Sequence, residues 1–351
     1  MMDPAERFNL SLISKRIEVD VHCARTRLYS PIIVFVDSYS KIFLKEIKGF
    51  ELTCTITGFR IKTGKHFSKI GSIIENTSEA INRLRNTSKC GKIDIRIRTK
   101  SIEKSFIEEI LSNTVLENYS NISMIGVAFD MEAMTFFMNT AKFDSRFSFR
   151  NSEMPLDLRH ENALKFKRSI YDDARWVRVD DLLRIVNVDR MILYRTNLTS
   201  DDVRTLLTHW INSDVDMFQS MRIVAKEDIE LDELFDSLVV LKHLHDSFST
   251  IFTLAKSPSR VFPVLAITHR LPLAIMSAWK PDETFNDDPS KDEYKPTYQI
   301  LQLLERKTTL ERTLEQRNNV DQIQMTEELA EIMQELWRFG VFFEGGRATR
   351  G

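Results

Sequence analysis

The chain has 351 residues, enough to bury about three-quarters of its unfolded surface in one large or two smaller domains with no disulfide or metal to hold them. Lys and Arg total 49 against 51 Asp and Glu, so the net charge of −2 gives no general attraction to nucleic acid or acidic membranes. Three cysteines without a Cys-x-x-Cys pair and an N-terminus without a basic-then-apolar signal pattern point to a reducing compartment, cytoplasm or nucleus.

Residues 3–28 read as a basic helix with Phe8, Leu10, Leu12 and Ile13 on its apolar face. Residues 32–36 and 51–57 are strand-like by β-branched content, with Gly49, Gly58 and Gly64 as punctuation. Residues 92–100 alternate strictly: Ile93, Ile95 and Ile97 face one way, and Asp94, Arg96, Arg98 and Lys100 the other. Here lies a local basic excess running from Arg83 to Lys104, broken only by Asp94 and Glu103. Its reading is either the solvated face of a strand or a docking patch for an acidic partner centred on Arg96, Arg98 and Lys100. RNA is the weaker choice, because no exposed aromatic platform is interleaved with the charges.

The most informative stretch is 191–211, a strand followed by a capped helix. Ser200 is the expected N-cap, Asp201 and Asp202 favour the positive end of the helix, and Val203, Leu206, Leu207 and Trp210 form one buried stripe. Val188, Met191 and Leu193 are repeated thirty residues later by Phe218, Met221 and Ile223, a period that suggests stacked units. A second match aligns Cys90, Ile93 and Ile95 with Ile122, Ile125 and Val127, and Asn151, Met154 and Leu156 make a weak copy in between. Together they predict an α/β (α+β) fold containing an irregular leucine-rich-repeat-like βα array, in which each unit buries its apolar face against the next; a non-repetitive α+β domain is the alternative.

The apolar run 261–279 carries His269 and Arg270 at its centre and is interrupted by Pro263 and Pro272, so two short buried segments are expected there and no membrane span. Residues 280–295 turn acidic and read as a linker. Residues 297–343 read as helical, with Met325, Leu329, Ile332, Leu336, Phe339 and Phe343 as a heptad-spaced seam facing Ile300, Leu303, Leu310 and Leu314 of an earlier helix. A helical hairpin or a short coiled coil follows. No glycine-rich phosphate loop is present, and His243 and His245 have no third ligand at metal spacing, so no enzyme, cofactor or metal site is expected.

The run 3–16, Asp-Pro-Ala-Glu-Arg-Phe-Asn-Leu-Ser-Leu-Ile-Ser-Lys-Arg, resembles the second half of an F-box of the expanded nematode type. Residues 176–183, 192–202 and His209-Trp210 are similar to the second type of F-box-associated domain. The resemblance implies a substrate-receptor subunit of an SCF-type cullin–RING ubiquitin ligase. On this reading Pro4, Phe8, Leu10, Leu12 and Ile13 meet the Skp adaptor of the cullin complex or brace its helices, and the C-terminal domain holds an unidentified client protein. The implied organisation is a partial F-box over 1–28, an associated leucine-rich-like domain over 29–258, apolar segments and the acidic linker over 259–295, and the helical tail over 296–351. The Leu-Pro helix that opens an F-box does not precede the Asp-Pro turn here. The alternative is therefore a free-standing protein–protein interaction module with no ligase link.

Overall fold

The computed structural model describes residues 4–12, 28–48, 50–62, 66–229, 235, 238–245, 248–270, 272–281, 296–316 and 322–350. Ile13, most of the acidic linker and the expected break at Asn318-Asn319 lie outside them. The chain divides into two compact units, Met1–Trp176 and Val177–Gly351, a boundary that falls within the segment the sequence reading treats as one associated domain.

The first unit opens with α1 (Pro4–Ser11), followed by a meander of antiparallel strands β1 (Pro31–Val36), β2 (Tyr39–Leu44), β3 (Glu51–Thr55), β4 (Gly58–Ile61) and β5 (His66–Ser68). Helix α2 (Ile73–Thr87) starts at a capping box, where Ser72 Oγ accepts the Glu75 amide and the Glu75 carboxylate accepts the Ser72 amide. Then strands and helices alternate: β6 (Ile93–Arg98), α3 (Lys104–Ser112), β7 (Tyr119–Ile125), α4 (Met131–Thr140), β8 (Arg146–Arg150) and β9 (Arg168–Tyr171). Strands β1, β6, β7, β8 and β9 pair side by side, all parallel.

Register aligns the inward side chains into rows. Ile33 stands opposite Ile95, Ile95 opposite Ile122, and Ile122 opposite Phe147; a second row runs Phe35, Ile97, Met124, Phe149, Tyr171. All are buried, and the β8 aromatics knit the layer to its surroundings: Phe147 stacks on Phe137 of α4 at 4.4 Å, and Phe149 on Tyr171 at 5.5 Å. Gly126 (φ 69°) and Asn151 (φ 50°) each follow directly on a strand, at aligned positions. Two residue types that tolerate the left-handed region thus mark where the chain leaves the sheet.

This register corrects the sequence pairing. Ile93 and Ile95 do not align with Ile125 and Val127, because Ile122 lies opposite Ile95 and Met124 opposite Ile97. The segment Asn151, Met154, Leu156 belongs to no strand, and Leu156 is exposed; the strand beside β7 is β8, where Phe147 and Phe149 take the inward positions.

In the second unit β10 (Val188–Leu193) runs parallel to β11 (Phe218–Val224) with Val188, Met191 and Leu193 opposite Phe218, Met221 and Ile223, as the spacing predicts. Helix α5 (Ser200–Asn212) joins them and buries Val203, Leu206, Leu207 and Trp210. Its N-cap is Thr199, not Ser200: Thr199 Oγ1 accepts the Asp202 amide and Asp202 returns the bond to the Thr199 amide at 2.9 Å. An antiparallel set follows, β12 (Leu241–His245), β13 (Phe248–Leu254), β14 (Val264–Arg270) and β15 (Leu273–Trp279), and β15 pairs with β11. The apolar run 261–279 is therefore mostly a two-strand hairpin. Among the described residues no helix is long and apolar enough to cross a membrane.

Helices α6 (Thr297–Gln316) and α7 (Gln322–Arg338) run antiparallel, because Gln299 bonds Glu335 and Arg306 forks onto Glu328 at 2.7 and 3.1 Å. Ile300, Leu301, Leu304, Ile332 and Leu336 share one core with Leu241, Phe252 and Val264 of the sheet, so the hairpin is a layer of this unit. Helix α7 stops before Gly340 (φ 74°), and Phe343 lies in strand β16 (Val341–Glu344), which turns through Gly345-Gly346 into β17 (Arg347–Arg350) beside β12. The helical reading of 297–343 is corrected at that point.

Candidate functional site

A parallel strand whose inner residues are all apolar sends the intervening residues to the opposite face. In the first unit that outer face is rich in arginine. From β6 come Asp94, Arg96 and Arg98, from β7 Asn121, Ser123 and Ile125, from β8 Arg146, Ser148 and Arg150, and from β9 Arg168 and Ile170. Register sets Arg96 beside Ser123 and Ser123 beside Ser148; Asp94, Asn121, Arg146 and Arg168 form the row on one side, and Ile125 lies beside Arg150 on the other. Neighbouring strands are about 4.8 Å apart and alternate residues on a strand about 6.8 Å, so these arginines surround the serine pair at close range.

Ser123 and Ser148 are 7% and 4% exposed although they point to the water side. Ser148 Oγ donates to Ser123 Oγ at 2.8 Å, which leaves one O–H of the pair to donate elsewhere. Arg96 is forked onto Asp94 at 3.2 and 3.4 Å, and the same carboxylate accepts Asn121 Nδ2 at 2.8 Å. Arg98, Arg146 and Arg150 are exposed, and among the described residues no carboxylate pairs with them. Asp172, at the end of the row, is engaged by the Asn151 amide at 2.9 Å.

Of the residues that sequence reading placed in a docking patch, Arg96 and Arg98 lie on this face. Exposed Lys100 follows β6, its amide donating to Asp37. Arg146, Arg150 and Arg168 escaped that reading because they sit far along the chain; the signal was present in the alternation of Arg146-Phe-Ser-Phe-Arg150.

The residues assigned to adaptor contact fare differently. Phe8 is fully buried, packs edge-on against Phe59 at 6.0 Å and anchors α1 on α2, and Pro4 is buried with it. Their side chains are core, so of the two roles expected for them, meeting the adaptor or bracing helices, the buried positions of these two fit the bracing one. Leu10 and Leu12 are half-buried.

Other places offer less chemistry. A cleft of about 260 Å³ in the second unit is lined by Val239, Leu304, Lys307, Phe343 and Arg347, but Lys307 is paired with Glu311 at 2.6 Å and lies over the Phe343 ring. Cys54 is buried and its thiol is pushed up to about 12 by burial, so it is no nucleophile near neutral pH. Among the described residues no group of three or more His, Cys, Asp or Glu side chains is placed to hold a metal. Comparison with known protein families, with curated proteins and with solved structures found no match to this chain.

Proposed function

We propose that this chain is a protein-binding receptor that holds an acidic segment of a partner on the arginine-lined face of its parallel sheet. The observation that carries the reading is the convergence of Arg96, Arg98, Arg146, Arg150 and Arg168 from three non-adjacent stretches of sequence onto one exposed face. Arginine suits that role because its planar fork meets carboxylates bidentately and is weakly hydrated. The in-register rows Ile33–Ile95–Ile122–Phe147 and Met191–Met221 support a leucine-rich-like array, an architecture that presents an extended sheet as a binding surface.

Within that function, the resemblance of residues 3–16 to half an F-box and of 176–210 to an F-box-associated domain supports a substrate-receptor subunit of an SCF-type ubiquitin ligase working in the cytoplasm or nucleus. Burial of Pro4 and Phe8 favours the second reading, an interaction module with no ligase link. Mixing the full chain with a purified Skp-type adaptor at micromolar concentration and measuring mass by light scattering separates the two. A complex whose formation is lost on Leu10→Asp supports the ligase subunit; two separate peaks leave the free-standing module. Acidic-partner binding is tested apart from this, with Arg98→Glu/Arg150→Glu expected to abolish capture of a glutamate-rich peptide at unchanged melting temperature.

A further inference from the structure

We infer that the group recognised at the centre of this face is a phosphate monoester, carried as phosphoserine or phosphothreonine in the partner segment; the inference rests on the receptor reading above and names its ligand chemistry. The argument begins with charge. Arg98, Arg146 and Arg150 converge here with no carboxylate partner among the described residues, Asp94 is committed to Arg96 and Asn121, and Asp172 is engaged at the rim by a backbone amide. A single carboxylate brings one negative charge and two oxygens in a plane, and leaves most of this positive excess unanswered. A phosphate monoester carries about −1.5 to −2 charges and three acceptor oxygens arranged as a tripod, so it can accept from donors on several strands at once.

The donors have that distribution. Arg98 lies on β6, Arg146 and Arg150 on β8, and none of them is engaged by a carboxylate among the described residues. Ser123 on β7 and Ser148 on β8, the latter between Arg146 and Arg150, form the floor, and their shared bond leaves one hydroxyl hydrogen to donate elsewhere. Small floor residues let an anion come close to the sheet, while the arginine forks close over it from either side. A flat acidic surface would need neither the small floor nor the ring.

The test uses the full chain, folded by circular dichroism, and three fluorescein-labelled nonapeptides with the same glutamate-containing flanks and a central phosphoserine, serine or glutamate. Fluorescence anisotropy should show the phosphoserine peptide binding about 10-fold or more tightly than the glutamate peptide. Arg146→Ala/Arg150→Ala should remove that margin, and Arg150→Lys should restore less than half of it, because lysine meets the oxygens as a point charge. Equal affinity for phosphoserine and glutamate overturns the phosphate inference and leaves the acidic-partner reading standing. No binding of any peptide overturns both. Displacement of the phosphopeptide by a single-stranded oligouridylate that binds more tightly also overturns both, and assigns the face to nucleic acid.

Discussion

Arg260 shows how one residue can hold a unit together. Its side chain is fully buried: Nε donates to Asp216 at 2.9 Å, Nη1 to the carbonyl oxygens of Trp210 and Ser213, and the guanidinium lies 4.5 Å over the Trp210 ring. Asp216 also accepts the amides of Val261 and Phe262, so one carboxylate ties the end of α5 to the approach to β14. Removing one partner of a buried pair leaves an uncompensated charge, and Arg260→Ala should cost about 3–5 kcal/mol, read as a lower urea midpoint at unchanged slope. A midpoint shift under about 1 kcal/mol would show that water replaces the guanidinium there. Trp210 was legible as core from its helical spacing. Its arginine was not, because nothing local marks Arg260 as anything but a loop cation.

At the scale of elements, the α6–α7 hairpin follows from apolar spacing that repeats on both helices, and its seam is buried against the sheet formed by β12, β13 and β14. Leu336 is fully buried and Leu329 half-buried. Placing carboxylates at both, with Leu329→Asp/Leu336→Asp, should destabilise the second unit by about 4 kcal/mol or more and lower the helical signal in circular dichroism. Light scattering should give the same mass before and after. A wild-type mass of two chains falling to one would replace the hairpin with a seam between copies. The end of α7 departs from the spacing for a physical reason: Phe343 keeps the heptad interval, but Gly340 with φ 74° ends the helix first, and the interval then coincides with a half-buried position on a strand.

For the whole molecule, the near-neutral net charge of −2 conceals a local imbalance that only the folded sheet assembles. Charges on an exposed face are screened within about 10 Å at 0.1 M salt, so affinity for an acidic peptide should fall about 10-fold or more between about 0.05 and 0.3 M sodium chloride, while the melting temperature stays within a few degrees. Salt-independent binding would place the contact elsewhere than on Arg98, Arg146 and Arg150.

The periods of the side chains were decided locally. Alternation at Ile93, Ile95 and Ile97 made a strand, helical spacing at Val203, Leu206, Leu207 and Trp210 made a buried stripe, and the triplet at 188–193 repeated at 218–223 marked two equivalent strands, which the structure pairs in register. Partners across unequal connections were decided only by the tertiary structure. Ile95 meets Ile122 because of the lengths and turns between β6 and β7, which no local pattern records, and the same pairing brings Arg146 level with Asp94 and Arg150 beside Ile125, on the face that Arg98 shares. Phe8 was placed by the sequence on the apolar face of a helix, and only the packing of Phe59 against it decided that it is core. A side chain's period is a property of neighbouring residues, whereas its exposure depends on what the rest of the chain brings to it.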